Sequence, residues 1–351
     1  MQQIYWNGSS ALTYEAHNQI IKNLKQKLER IRRESRNSIQ VLKQCADRYD
    51  NSNQPAGVDA KFYEDVKAAA LECSESMREF CEQIADEAVK MLKTKPPCDF
   101  QAISIGSLAK GEATPYSDLE FLFLIAKRTQ KNKDKEYFEK LALTMYFYVG
   151  NLGETKLAYM AIPELKGWFD DAAVNGFKID GLTGGAGNIP TGNGSRYQER
   201  FRFIVTPDEL AKRYKDILQN PEEDALQGDL TAMLTYTSSF YARLAEGEDL
   251  LQEFIKGIEG LDRSQKRKEM NQQMLRNDLL KFNFLPDDEL TRNGFNMDVK
   301  KELYRYPSLF LLNICIVLNV KAKTSWAALE QLIQQKSLSK DVGNCLKFSL
   351  A

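Results

Sequence analysis

Residues 105–121 read IGSLAKGEATPYSDLEF, and this stretch constrains the chain more than any other. An apolar run of strand length, FQAISIG (100–106), leads into it. A second, LEFLFLIA (119–126), leads out. Both are short and rich in apolar residues, as buried strands are. Asp118 and Glu120 stand at i and i+2, at the head of the second run. On a strand such residues share one side, while Leu119, Phe121 and Phe123 turn to the other and bury. Two carboxylates about 7 Å apart on a strand face repel each other. A divalent cation between them removes that penalty. Magnesium suits the place: it is hard, takes oxygen ligands, and is commonly held by one or two carboxylates with substrate phosphates and water.

Gly106-Ser107 lies at the end of the first strand, where a short helix is expected to start. Backbone N–H groups at such a junction bind anions. Glycine allows a phosphate to approach the backbone, and the serine hydroxyl adds a donor. The unit is an anion cradle, a short helix, a turn and an acid-bearing strand, a layout that serves a nucleoside triphosphate with Mg²⁺.

The rest of the chain frames this unit. Its 351 residues allow two domains, or one with a large appendage. A hydrophobic share of 43% with 28% charged residues is that of a soluble globular protein. The net charge of −1 supplies no global basic field, so a long nucleic acid is not favoured as a partner. The six cysteines form no C-x-x-C pair, and His17 is the only histidine, which speaks against zinc. It also removes Cys/His and Ser/His/Asp mechanisms unless His17 takes part. Cysteines in helical apolar patterns read as buried free thiols of a reducing compartment. The longest apolar run, PSLFLLNICIVLNV (307–320), is too short to span a membrane and reads as a core helix. The N-terminus does not read as a signal peptide. A soluble protein at work in the cytoplasm, its own or that of a host, is expected.

Three textures divide the sequence. Residues 1–97 are helical, with apolar residues at Ile20, Ile21, Leu24, Leu28, Ile31, Ile39 and Leu42 near a 3.6 period. DNSNQPAG (50–57) breaks this helix, and a second should run from Asp59 to Leu92 before KPP (95–97). The two make a hairpin, read as a packing support rather than a partner-binding coiled coil. Residues 98–206 are mixed: strands at 100–106, 119–126, 176–182 and 200–205, a helix at 134–153, and a glycine-rich loop, TGGAGNIPTGNGS (183–195). TPDELAKRYKDIL (206–218) is a helix capped by Thr206. Residues 207–351 read as almost entirely helical, a bundle of five to seven helices broken at Asn220-Pro221, Gly257–Gly260, Leu285-Pro286 and Pro307.

Gly106-Ser107, ten intervening residues and Asp118-x-Glu120 resemble the signature of the DNA polymerase β-type nucleotidyltransferases. The fuller match, through Gly106, Lys110, Gly111, Glu112, Pro115, Tyr116, Ser117, Asp118 and Glu120, is similar to the subgroup of glutamine synthetase adenylyltransferases and PII uridylyltransferases. It departs at Lys110, where arginine is usual and the bidentate fork is lost, and at Glu120, where aspartate is commoner. The resemblance covers about residues 100–215. It implies an α+β fold: a small mixed-sheet nucleotidyltransferase core flanked by the N-terminal helical hairpin and a C-terminal helical bundle. It also implies two Mg²⁺ (or Mn²⁺) ions, an NTP substrate, and transfer of NMP to an acceptor hydroxyl, with pyrophosphate released.

The resemblance further implies a third carboxylate on a neighbouring strand. GFKIDGL (176–182) offers Asp180 on the polar side of an alternating pattern, with Asp170 or Asp171 as rivals. Gly106, Ser107, Lys110, Gly111 and Ser117 would line the triphosphate. Asn188, Thr191 and Asn193 of the glycine loop are candidate polar contacts. Lys301 and Arg305, at i and i+4, share a helix face that could grip the triphosphate, or else form a solvated salt-bridged surface. The subgroup points to a protein side chain as acceptor (AMPylation or UMPylation). A nucleotide acceptor, as in dinucleotide synthases or RNA-end transferases, stands second and a small-molecule hydroxyl third. A non-catalytic binding module is the alternative of another class.

Overall fold

The structure is a computed structural model that describes residues 14–50, 60–127, 131–154, 176–179, 190, 201–219, 234–261, 264–281, 305–339, 342–343 and 346–347. Within these residues the chain is α+β, as expected. In chain order it runs α1 (Tyr14–Asp50), α2 (Ala60–Leu92), β1 (Phe100–Ile105), α3 (Gly106–Lys110), β2 (Glu120–Ile125), α4 (Lys131–Asn151), β3 (Ile204–Val205), α5 (Pro207–Gln219), β4 (Ser238–Arg243), α6 (Leu250–Gly257), α7 (Gln265–Lys281), α8 (Arg305–Val317) and α9 (Ser325–Gln334).

The four strands form one mixed sheet in the order β3-β2-β1-β4. β1 runs antiparallel to both β2 and β4, and β2 runs parallel to β3. Alternation along β1 and β2 sorts the side chains into two layers. Phe100, Ala102, Phe121, Phe123 and Ile125 face one way and bury against Leu24, Leu28, Phe80, Ile84, Phe138 and Met145 of α1, α2 and α4. Ile103, Ile105, Leu122 and Leu124 face the other way, under Leu210, Tyr214 and Ile217 of α5 and Leu250 and Phe254 of α6. Aromatic rings knit the first layer, with Phe100 and Phe138 at 5.0 Å between centroids and Phe121 and Phe123 edge-on at 5.4 Å. A third, smaller cluster joins α8 to α9 through Leu311, Cys315, Leu329 and Leu332.

The caps match the local sequence. Glu209 N–H donates to Thr206 Oγ1 (3.2 Å), and Thr206 N–H donates back to Glu209 Oε2 (3.0 Å), a reciprocal pair that starts α5. Asp249 caps α6, accepting from Gln252 N–H at 3.1 Å, and Thr324 caps α9. The helical hairpin forms, and α2 lies on the sheet through Met77, Phe80, Cys81 and Ile84.

Three expectations are corrected. The 207–351 region is not helical throughout, since Ser238–Arg243 forms edge strand β4, with a register shift opposite Ala102/Ile103. The run 200–205 yields only the two-residue β3, because residues 201–203 turn. Pro307, by contrast, lies at a helix boundary as expected. It sits in the first turn of α8, where its missing N–H has no intrahelical partner to lose. Ile39 is exposed, so the buried stripe of α1 stops after Ile31 and Arg32, and Leu42 rejoins it only partly, beside Tyr63, Val66 and Trp326. The breaks at 220–221 and 285–286 lie outside the described residues.

Candidate active site

Asp118 and Glu120 share a face. Leu119 and Phe121, between and after them, bury in the opposite layer. Glu120 pairs with Ile105 across the antiparallel ladder. This brings its carboxylate over the start of α3. Gly106 has φ +67, and a Cβ built there would overlap Glu120 Oε2 and lie 3.0 Å from its Cδ. Gly106 therefore meets two demands at once, a left-handed backbone and room for a carboxylate directly above its Cα. Both acids are half-buried.

Residues 176–179 run beside the head of β2. Leu119 N–H donates to Lys178 carbonyl O at 2.8 Å, and Leu119 bridges Ile179 in parallel. Phe177 and Ile179 are buried, so Lys178 points to the face of the acids. Its Nζ lies 3.6 Å from Asp118 Oδ1. The alternation expected for GFKIDGL holds through Ile179. Asp180, the next residue, lies outside the described residues, as do Asp170, Asp171, Asn188, Thr191, Asn193 and Lys301. Among the described residues no cluster of three His, Cys, Asp or Glu side chains gathers that could hold a metal. Asp118 and Glu120 present oxygen donors on one side of one strand, a donor set that fits Mg²⁺ or Mn²⁺ and leaves positions for phosphate oxygens and water.

The segment between the acids and Gly106 is held at both ends. Ser117 Oγ accepts from Thr114 N–H (2.9 Å), and Ser117 N–H donates to Thr114 carbonyl O (3.0 Å), closing the turn that delivers Asp118. Ser117 thus serves the turn. The α3 helix ends at Gly111, φ +75, whose N–H donates to Ser107 carbonyl O. Gly111 carbonyl O accepts from Trp326 Nε1 of α9 at 3.1 Å. Lys110 Nζ donates to Ser308 Oγ of α8 (3.3 Å), and Ser308 Oγ donates to buried Glu112 Oε2 (3.2 Å). The structure thus directs Lys110 to the C-terminal helices. Arg305 opens α8. Ser107 is half-buried at the strand–helix junction.

Two supports escaped the sequence reading. Lys178 stood in the same alternation that singled out Asp180, and the parity of the strand would have found it. Arg32 interrupts the apolar stripe of α1 one turn after Leu28. It is buried, at 6% exposure, against Glu154 and the 115–116 turn. A cation on a buried stripe was the available signal. His17 stacks near Phe147 and Tyr148, with ring centroids at 5.0 and 5.8 Å. Burial lowers its pKa, and it packs as an aromatic.

No helix among the described residues is long and apolar enough to cross a membrane. No curated protein matches the chain. Residues 58–155, from the head of α2 through β1, α3, β2 and α4, match the family model described as "Putative nucleotidyltransferase DUF294". The segment that carries Gly106, Asp118 and Glu120 is thus similar to a nucleotidyltransferase-type family, without distinction of the adenylyltransferase and uridylyltransferase subgroup.

Proposed function

We propose that this chain transfers a nucleoside monophosphate from an NTP to a hydroxyl of a protein side chain and releases pyrophosphate. The observation that carries the reading is the seating of Glu120 over Gly106 with Asp118 on the same strand face, inside the segment that matches the family. A strand head that only needed to end would not require a left-handed glycine beneath a carboxylate.

In the proposed reaction the acceptor hydroxyl gives its proton to Asp180, its oxygen attacks the α-phosphorus, the bond to the bridging oxygen breaks, and pyrophosphate leaves. Asp118 and Glu120 would hold the divalent cation, with Asp180 as the third ligand and orienter of the acceptor hydroxyl. The cation, when bound, supplies charge neutralisation at the entering and leaving oxygens. Gly106 and Ser107 approach the β,γ-phosphates. Lys178, beside Asp118, balances its charge in the free protein and is placed to meet a phosphate oxygen once the carboxylate turns to a cation. Asn188, Lys301 and Arg305 remain candidate contacts to the nucleotide.

The test is incubation of the protein with Mg²⁺ or Mn²⁺ and each α-³²P-labelled NTP, alone and with lysate, beside Asp118→Asn/Glu120→Gln. Label on a protein band, absent from the double variant, is expected. Label in a small product or RNA would transfer the reading to a nucleotide acceptor. No label and no pyrophosphate with either metal would refute catalysis and favour a binding module.

A further inference from the structure

We propose that Arg32 of α1 is a positioning residue for the acid pair, acting through Glu154; this rests on the nucleotidyl-transfer reading above. Arg32 lies outside the segment matched by the family, 86 positions before Asp118 in the chain (118 − 32). Its guanidinium makes a two-pronged contact with Glu154, Nη1 to Oε1 at 2.5 Å and Nη2 to Oε2 at 2.6 Å. Such a fork fixes direction as well as distance. Burial opposes the charge, but the hydrogen bonds with Glu154 and Glu29 and the charge of Glu154 leave the guanidinium pKa raised.

Two routes lead from this pair to Asp118. On the first, Arg32 Nη2 donates to Pro115 carbonyl O at 3.4 Å, and the guanidinium stacks 4.6 Å from the Tyr116 ring centroid. These residues belong to the turn that delivers Asp118. On the second, Glu154 Oε2 accepts from Phe177 N–H at 2.9 Å. Gly176 lies so close that a Cβ there would overlap Glu154 Cβ. The next residue, Lys178, receives Leu119 N–H and faces Asp118. One ion pair therefore holds both segments that flank the acid, from α1 on one side and the end of α4 on the other. A salt bridge that only fastened α1 would have no reason to bond both segments that flank the acid.

The experiment compares wild type with Glu154→Gln, Arg32→Lys and Arg32→Ala. Pyrophosphate release gives kcat and KM for the NTP. Amide exchange at Phe177 and Mn²⁺ binding are read without substrate. Glu154→Gln keeps the shape of the side chain and loses the ion pair. Its kcat should fall roughly 10- to 100-fold, because misplacement of reacting groups by about 1 Å has that effect, while KM changes less than about threefold. Phe177 exchange should quicken about tenfold and Mn²⁺ affinity drop about fivefold. Arg32→Lys, with charge but no fork, should recover only a small part of the lost kcat. If the folded variants keep kcat and Mn²⁺ affinity within about twofold of wild type while Phe177 exchange rises, the pair is a structural pin and the proposal falls. Should Arg32→Ala fail to fold, the two conservative variants decide the matter. Should wild type release no pyrophosphate, nucleotidyl transfer fails by itself; unchanged Mn²⁺ affinity in Glu154→Gln would then sink the clamp as well, and weakened affinity would sustain it.

Discussion

Gly106→Ala separates the fold from the chemistry. The added methyl meets two obstacles. Alanine at φ +67 lies in the left-handed region, at a cost of about 1–2 kcal/mol. Stiffening of the unfolded chain returns about 0.4–1 kcal/mol of this. The second obstacle is Glu120. The new Cβ would overlap Oε2, yet Glu120 Cβ lies 3.8 Å away, an ordinary contact. The carboxylate can therefore swing aside without moving the strand. The stability loss should stay near 0.5–1.5 kcal/mol, a fall in Tm of roughly 1–2 °C for a chain of this size.

Activity is another matter, because the group that must swing aside is the proposed metal ligand. A carboxylate moved by more than about 1 Å should lower kcat about 100-fold or more. Thermal melts by circular dichroism and pyrophosphate release measure the two effects. In a Glu120→Ala background the overlap is absent, and Gly106→Ala should then cost only the backbone portion. Activity within about threefold of wild type would show that the seat of Glu120 over Gly106 is incidental. A loss above about 4 kcal/mol would show that the backbone, rather than the side chain, gives way.

Asp118→Asn removes the charge facing Lys178. Because that pair is partly solvated, stability should change by less than about 1 kcal/mol while pyrophosphate release is abolished; a melt shifted far downward would contradict this. His17 gives one imidazole signal in a proton spectrum, and burial lowers its pKa below the ordinary 6.5. Its contribution to stability is full above that value and is lost as pH falls through the lowered pKa, so acid should loosen the contact of α1 with Phe147; titration at or above 6.5 would refute the burial. Burial pushes the Cys81 and Cys315 thiols up to about 12, so both should resist alkylation in the native protein near pH 8, as should buried Cys98. Mass mapping that finds Cys81 labelled as fast as a free thiol would overturn the packing of α2.

The features legible in the sequence share a short reach. Asp118, Leu119 and Glu120 sort onto opposite faces because strand alternation is decided within three residues. The Thr206 cap is decided within four. Strand β4 was not legible, because the three apolar residues of SSFYAR (238–243) are too short a run to mark a strand and gain their place only by pairing with β1, more than a hundred residues away. The exposure of Ile39 is of the same kind. Periodicity says which residues could face a partner, not where along the helix a partner ends.

The site itself divides along that line. Its acids and glycine lie in one stretch of about fifteen residues. Its supports come from everywhere else: Arg32 from α1, Glu154 after α4, Lys178 beside β2, and Ser308 and Trp326 from the C-terminal helices. A motif can be short because chemistry needs few groups, but a carboxylate held to within a fraction of an ångström needs neighbours on every side. Those neighbours are chosen by the tertiary fold, and only their oddity marks them in advance. Arg32 is a charge on a buried stripe and Gly176 a glycine in a strand-like run. Arg32 marks where a helical arm, outside the matched segment, meets the candidate site, and Gly176 marks where Glu154 does. If Arg32 positions the acids as proposed, the arm is part of the site's construction rather than a separable support, and deletion of α1 should remove activity even though every acid remains. A truncated chain beginning at residue 58 that folds and releases pyrophosphate at the full rate would refute this.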